Sequence, residues 1–386
     1  MQTVKDYNSS PIEISIVMPC LNEEKTIGVC VEKAFRAIRE SGIKGEVIVS
    51  DNGSTDKSVE IAKKEGAYVV VQKMKGYGCA YQLGISVAKG KYIIIGDSDD
   101  TYDFLDIMKF VKPLRQGYEF INGSRTKGKI HNGAMPFLHR YFGNPMLSFI
   151  LNIFFKSGFS DVYCGMKAFT KEAYEKIRPI SCGMEYALEL IIKASGLNLK
   201  RMEVPVDLYL RKGESKLRTF RDGWRSLRFM LMYCPNYLFF IPGGLVFLTG
   251  FAGMCLSLNG PFILFNHKFE FHSMIFFSMS VLFGFQLISL GFFAKTYALT
   301  EGFLTKNSFF LKFYKTFNLE KGILLGSLLI ILGILIVFSI VKAWFFLGPL
   351  EQGRKELFAF TIILIGIQVV FSSFLISLMG IKNKQD

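Results

Sequence analysis

Gly96-Asp97-Ser98-Asp99-Asp100 follows the apolar run Lys91 to Ile95 and sets three carboxylates just beyond a segment that reads as a buried strand. A hard divalent cation, held by a few carboxylates and by substrate phosphates, is the usual means of gripping a nucleotide diphosphate. An acidic helix cap is the competing reading, since Asp at a helix start satisfies free backbone N–H groups and suits the helix dipole. Two further polar blocks end apolar runs: Pro19-Cys20-Leu21-Asn22-Glu23-Glu24 and Ser50-Asp51-Asn52-Gly53-Ser54-Thr55-Asp56. Open α/β sheets bind ligands outside the carboxyl ends of their strands, where such side chains can meet a base and a ribose. Glycine-rich phosphate loops are missing, and Gly76-Tyr77-Gly78 is too short a match to count as one.

The elements that must position these blocks alternate. Strand patterns at Glu13 to Met18, Glu46 to Ser50, Ala67 to Val71 and Tyr92 to Ile95 are separated by helix patterns from Glu24, from Asp56 and over Tyr77 to Lys89. Repeated βα units imply a mostly parallel sheet covered on both faces. Ser54 or Thr55, and the pair Asp100-Thr101, stand where helix starts are expected. From Tyr118 to Tyr209 the pattern is mixed, with short strands at Glu119 to Gly123, Met166 to Phe169 and Lys200 to Val204.

Half of the 386 residues are hydrophobic, and they are unevenly placed. Four apolar blocks, Asn236 to Leu258, Ser273 to Ala294, Gly322 to Phe346 and Leu357 to Ile381, each have about the 20 residues a helix needs to cross a bilayer. Met1 to Pro11 is polar, so the first 235 residues are expected in the cytoplasm. Four spans would return the C-terminus there. Lys295, Lys306, Lys312, Lys315 and Lys321 after the second span, with Lys382 and Lys384 in the tail, outnumber Lys268, Arg354 and Lys355 in the opposite loops, as the positive-inside rule requires. Between Leu217 and Tyr233, apolar Leu217, Phe220, Trp224, Leu227 and Leu231 run beside Arg218, Arg221, Arg225 and Arg228. Adjacent stripes of this kind belong to a helix in the headgroup region, or to a core helix with a solvated basic face. The expected division is therefore 1–216, a catalytic unit; 217–235, an interfacial helix; and 236–386, a membrane domain.

The formal charge is +14, with 35 basic against 26 acidic residues before position 236 and 11 against 6 after it. An anionic membrane surface accounts for that balance better than nucleic acid, because the basic residues crowd near the first span. Seven scattered cysteines without a Cys-x-x-Cys pair suggest reduced thiols, with neither a disulfide frame nor a zinc site.

In Ile14 to Glu24, Val47 to Asp56, Asp97-Ser98-Asp99, Gly123-Ser124-Arg125 and Arg211-Lys-Gly-Glu-Ser215-Lys216, the chain resembles the family-two glycosyltransferases of GT-A fold. Within them it is most similar to the polyprenyl-phosphate (dolichol-phosphate) glucose and mannose synthases. The resemblance covers nearly all of residues 12 to 234. It implies a Rossmann-like GT-A domain followed by a four-helix transmembrane domain. It also implies that Pro19, Asn22, Glu23, Asp51 and Ser98 line the nucleotide-sugar pocket and that Asp97 with Asp99 binds Mg²⁺ or Mn²⁺. Arg125, Arg140, Arg211, Ser215 and Lys216 would grip the acceptor phosphate. Asp161 falls where relatives read close to Asp-x-x-x-Gly-Phe-Arg, and Glu185 would orient the donor sugar. Two departures stand out: Asn52 where many relatives have Asp, and Lys167 where Arg is usual, which removes a planar bidentate donor.

The residues agree with that chemistry. A phosphate monoester, with a second pKa of about 6, is mostly dianionic at neutral pH, so it needs positioning rather than a general base. Arginine supplies bidentate, permanently charged donors for it. His131 and His139 read as polar loop or helix residues, and Tyr77, Tyr102 and Tyr186 as packing residues. The expected activity is inverting transfer of a hexose, glucose from UDP-glucose, to a polyprenyl phosphate at the cytoplasmic leaflet. The alternatives are GDP-mannose as donor or, in a different class, a membrane transporter that senses nucleotide sugars. A homo-oligomer is compatible with the sequence.

Overall fold

The computed structural model describes residues 11–212, 219–300, 318–347 and 352–380. They fall into two compact units, one ending at Met230 and the other starting at Leu231. The first is built on a seven-stranded sheet of order β3-β2-β1-β4-β6-β5-β7. Its chain order is β1 (Ile14–Cys20), α1 (Ile27–Ser41), β2 (Gly45–Asp51), α2 (Ser58–Lys64), β3 (Tyr68–Val71), α3 (Tyr77–Ser86) and β4 (Tyr92–Ile95). A 3₁₀ turn (Phe104–Ile107) then leads into α4 (Met108–Arg115) and β5 (Phe120–Ser124). A π-helical turn (His139–Gly143) precedes α5 (Asn144–Phe155), β6 (Lys167–Thr170), α6 (Lys171–Ile177), α7 (Tyr186–Gly196), β7 (Arg201–Pro205) and α8 (Thr219–Met232).

Strands β1 to β4 are mutually parallel, whereas β6 runs antiparallel between β4 and β5. The strand order reverses at β1, which lies between β2 and β4, so the carboxyl ends of β1 and β4 form the topological switch point of the sheet. This is the GT-A arrangement the sequence resembled. Both strands are largely apolar because helices cover both faces: Ile14, Ile16, Val17 and Met18 are fully buried, as are Ile93 and Ile94, and the one buried hydroxyl of β1, on Ser15, donates to Glu46. Helix α1 buries Ile27, Cys30, Val31, Ala34 and Ile38, at helical steps of three and four, and stops at Gly42, whose left-handed φ of 65° lets its N–H reach the Arg39 carbonyl.

Two expected caps differ in detail. Ser54 and Thr55 bond across to Asn22, and Asp56 instead receives the N–H and hydroxyl of Ser58 at the start of α2. Asp103, rather than Asp100 or Thr101, accepts from the Leu105 N–H at the 3₁₀ turn.

The second unit holds α9 (Ile241–Ser257), a hairpin of β8 (Phe262–Leu264) and β9 (His267–Phe269), α10 (Phe271–Thr300), α11 (Leu319–Leu347) and α12 (Gly353–Gly380). Four segments, Asn236–Ser257, Phe271–Thr300, Leu319–Phe346 and Gly353–Met379, are long and apolar enough to cross a bilayer. They pack through small residues: a methyl at Gly284 would lie 2.4 Å from the Phe247 nitrogen, and methyls at Gly326 or Gly366 would press on the other's carbonyl oxygen. The Ser278 and Thr361 hydroxyls, 2.7 Å apart, join α10 to α12.

Candidate active site

The three polar blocks meet at the carboxyl ends of β1, β2 and β4. Cys20 pairs in register with Asp51, so the loops after β1 and β2 start side by side. They are then laced together: the Asn22 N–H donates to Ser54 Oγ, Asn22 Oδ1 accepts from the Thr55 N–H, and the Glu23 N–H donates to Ser58 Oγ. Asn22 holds a positive φ of 54° to turn this corner. Asp51, 3% exposed, folds its carboxylate over the N–H groups of Gly53 and Ser54. Asn52 spends its whole amide on backbone, donating to the Gln72 and Met74 carbonyls and accepting from the Gly76 N–H. Asn52 therefore anchors the segment leading into α3.

The carboxylates after β4 are not equivalent. Asp100 is claimed by Lys33 at 2.8 Å and Lys212 at 2.6 Å. Burial alone would raise its pKa, yet the hydrogen bonds from Lys212 and Lys33 hold it below the usual carboxylate value. Asp99 uses Oδ1 to accept from the Thr101 N–H and hydroxyl, in a bend that precedes the 3₁₀ turn capped by Asp103, and turns Oδ2 toward Arg211 Nη2 at 3.3 Å. Asp97 accepts the Tyr77 hydroxyl at 2.8 Å and the Tyr81 hydroxyl at 3.3 Å on one oxygen. Burial first, and the charge of Asp99 second, push the Asp97 carboxyl up to about 6. Ser98 donates to the Pro19 carbonyl at 2.7 Å, tying β4 to β1 across the switch point.

Asp97 and Asp99 fit a divalent ion. Two neighbouring carboxylates, one raised by the other's charge, gain from a cation between them. Among the described residues no group of three or more His, Cys, Asp and Glu side chains could hold a metal ion by itself. Arg211 bridges the cluster, with Nη2 3.4 Å from Glu23 and 3.3 Å from Asp99, while its buried Nε has no hydrogen-bond partner among the described residues. That orphaned donor is suited to an anionic oxygen arriving at the carboxylates.

Beside the cluster opens a cavity of about 520 Å³, lined by Gly76, Tyr77, Cys182, Gly183, Glu185 and Arg225 among others. Tyr77 belongs to both, as cavity wall and as donor to Asp97. Glu185, at the start of α7, pairs with Arg225 of α8 at 2.6 Å. The expectation of uniformly reduced cysteines is corrected here: Cys79 of α3 and Cys182 are joined by a disulfide, and the other five are free. The partners are 103 residues apart, so only the folded topology brings them together. Gly76, at φ 145°, and Gly78 seat the loop closely, and the Gly78 N–H donates to the Cys182 carbonyl at 2.8 Å.

Arg125 and Asp161 are brought together, but with each other. The Arg125 guanidinium grips both Asp161 oxygens at 2.7 and 2.8 Å, and its backbone N–H donates to the same carboxylate. Burial alone would raise the Asp161 pKa, yet the Arg125 charge and hydrogen bonds keep it low. Lys167 is fully buried nearby, with Nζ donating to the Cys164 carbonyl, and burial lowers its pKa. Arg140 lies on the π-helical turn over the Tyr141 ring, and no contact among the described residues joins it to the acidic loops. Ser215 and Lys216 lie outside the described residues.

The packing reading holds for Tyr186, which stacks on Tyr81, and for Tyr102, which is buried in the core, whereas Tyr77 packs edge-on to Tyr81 and also donates to Asp97. The Tyr102 hydroxyl accepts from the Gly165 N–H beside Asp97. A helical spacing of four between Tyr77 and Tyr81 was the only available signal for the pair of phenols on Asp97. Lys33 and Lys212 carried none.

Residues 15–178 match the family described as Glycosyl transferase family 2, and residues 292–380 match the Glycosyltransferase family 2 C-terminal transmembrane region. The low-salt glycan biosynthesis hexosyltransferase Agl6 of Haloferax volcanii is 37% identical over 372 residues, 95% of this chain and 89% of that protein. The dolichyl-phosphate hexose transferase of the same organism is 31% identical over 213 residues, 55% of this chain and 89% of that protein. Among solved structures, glucosyl-3-phosphoglycerate synthase from Mycobacterium tuberculosis is similar with a TM-score of 0.47 and 21% identity, over 57% of this chain and 80% of that one.

Proposed function

The chain belongs to glycosyl transferase family 2 and is an integral membrane glycosyltransferase, and from that premise we propose that it transfers a hexose, glucose from UDP-glucose, to a polyprenyl phosphate at the cytoplasmic leaflet. The observation that carries this reading is the pair Asp97 and Asp99 at the switch point, crossed by an arginine whose buried Nε has no partner among the described residues. A hexosyltransferase and a dolichyl-phosphate hexose transferase among the relatives support the sugar class and the lipid acceptor.

In this reading Pro19, Asn22, Glu23, Asp51 and Ser98 shape the nucleotide end of the pocket, mostly by fixing backbone around it. Asp97 and Asp99 would hold Mg²⁺ or Mn²⁺, which when bound neutralises the charge growing on the departing diphosphate. Glu185, on the wall of the adjoining cavity, orients the sugar. An oxygen of the dianionic acceptor phosphate bonds to the anomeric carbon as the carbon–oxygen bond to the diphosphate breaks, and the electron pair leaves with the nucleotide. One in-line displacement inverts the centre and gives a β-linked product. Arg211 is the acceptor-side donor with a spare N–H, with Arg125, Arg140, Ser215 and Lys216 completing the phosphate grip. Arg125 must then bind phosphate while holding Asp161. Helix α8, with exposed Trp224 between exposed Arg221 and Arg228, lies in the headgroup region.

The test is transfer of radiolabel from UDP-glucose or GDP-mannose into organic-extractable lipid by purified protein with a polyprenyl phosphate, with and without EDTA. EDTA-sensitive label from UDP-glucose is the expected result. Label from GDP-mannose alone replaces the donor, and no label from any common nucleotide sugar with folded protein overturns the acceptor and returns weight to a sensing transporter.

A further inference from the structure

Glu189 of α7 has a side chain 0% exposed, and nothing in the transfer step calls on it. Its bonds serve one short segment. Oε1 accepts from the Ile180 N–H at 3.0 Å and lies 2.8 Å from Lys193 Nζ, one turn along the helix, while Oε2 accepts from the Ile180 and Ser181 N–H groups at 3.1 and 2.8 Å. Lys193, 3% exposed, donates in turn to the Arg178 carbonyl at 3.0 Å. A buried ion pair adds little stability that packed apolar side chains would not, because desolvating two charges offsets their attraction. Its use here is geometric. Residues 178–182 form neither helix nor strand, and a carboxylate can accept several of their N–H groups while the lysine cancels its charge.

The held segment is the one that supports the site. Its Cys182 carbonyl accepts the Gly78 and Cys79 N–H groups at 2.8 and 3.4 Å, and its Ser181 carbonyl accepts Gln82 Nε2 at 3.1 Å. The first turn of α3 therefore rests on it. That turn starts at Tyr77, whose hydroxyl reaches Asp97 at 2.8 Å. The contact leaves no slack, since a methyl at Gly78 would lie 2.2 Å from the Ser181 carbonyl oxygen, so a shift of the segment displaces the helix. Further along the chain the segment becomes Gly183, Met184 and Glu185 on the cavity wall.

We infer that Glu189 is a positioning residue: by holding the Ile180 and Ser181 N–H groups it places residues 180–185, and through them both the Tyr77 hydroxyl on Asp97 and the Glu185 carboxylate on the cavity wall. Sealed in the interior, it touches no substrate itself. Its bearing on turnover rests on the reading of that cavity as the place of the donor sugar.

Removing Glu189 alone would strand the Lys193 charge, so the test pairs each change with Lys193→Met. Glu189→Gln with Lys193→Met keeps an oxygen where Oε2 now meets both N–H groups, and Glu189→Leu with Lys193→Met removes the acceptor. Full-length protein in nanodiscs is read by hydrogen exchange with mass spectrometry, which needs no substrate, and by kinetics in the radiolabel assay. The leucine pair should speed exchange in residues 76–82 and 180–186 alone and raise KM for the nucleotide sugar about tenfold with a much smaller change in kcat. The glutamine pair should restore both toward wild type. Wild-type KM in the leucine pair overturns the inference. So does faster exchange spread across β1 and β2, which would make the ion pair a general stabiliser, and so do equal effects in the two pairs, because charge rather than N–H acceptance would then matter. Should the leucine pair not fold, Glu189→Asp keeps the charge, withdraws the carboxylate by one methylene and is judged by the same outcomes. Wild-type protein that transfers no label fails the sugar-transfer reading instead, and the exchange comparison then decides, with wild-type exchange in the leucine pair overturning the inference.

Discussion

Asp97 and Asp99 differ in what already holds them, and that difference separates the effects of changing each. Asp99 has one oxygen committed to Thr101 and one directed at Arg211. Asp99→Asn keeps the shape and removes the charge, so label transfer should fall to background in the radiolabel assay; near-normal turnover would sink the metal assignment. Asp97, pushed up to about 6, ionises late. Because only the carboxylate ligates, Mn²⁺ affinity measured by electron paramagnetic resonance should weaken by about tenfold per pH unit below that value, and level off above it. Arg125 and Asp161 form a pair with side chains 11% and 1% exposed. Removing one partner strands the other, so Asp161→Asn should cost about 3–5 kcal/mol in denaturant unfolding. The depressed Asp161 pKa means its contribution is complete above the ordinary Asp range and is lost as pH falls through the lowered folded value. The gap between wild type and Asp161→Asn should therefore close in acid.

At the level of elements, the disulfide connects the helix that bonds Asp97 to the loop that carries Glu185. Closing a loop of about 100 residues is worth about 4.7 kcal/mol in the chain-entropy account. Cys79→Ser should lower the unfolding midpoint and raise KM for the nucleotide sugar more than it lowers kcat, because the cavity wall loosens while Asp99 stays in place. None of this was legible in the sequence, since nothing local in Cys79 or Cys182 names its partner. The parallel strands were legible: Tyr92–Ile95 falls where its apolar run does, and β1 and β2 start within a residue of their patterns. Their burial on both faces leaves short, mostly hydrophobic runs bounded by polar blocks. Helix α5 was not read, because Met146 to Leu151 is almost wholly apolar and periodicity cannot separate its exposed side from its buried one. The acidic cluster was located but not sorted. The roles of its three carboxylates depend on Lys33, Lys212, Tyr77 and Arg211, which come from distant places in the chain.

At the scale of the whole molecule, a catalytic unit rich in basic residues is followed by four apolar helices whose glycines let neighbours approach to backbone contact. The bond between Cys79 and Cys182 makes part of that chain a covalent ring, threaded through the acidic cluster, Arg125, Asp161 and α5. A ring tolerates one cut. If a protease nicks an exposed site such as Asn132 or Gly133, the two pieces remain one molecule on a denaturing gel, and only a reductant parts them into fragments of unequal size. Full-length migration of nicked protein without reductant, and two bands with it, is the expected pattern. Two bands in both lanes would mean that the ring is open in the protein as isolated.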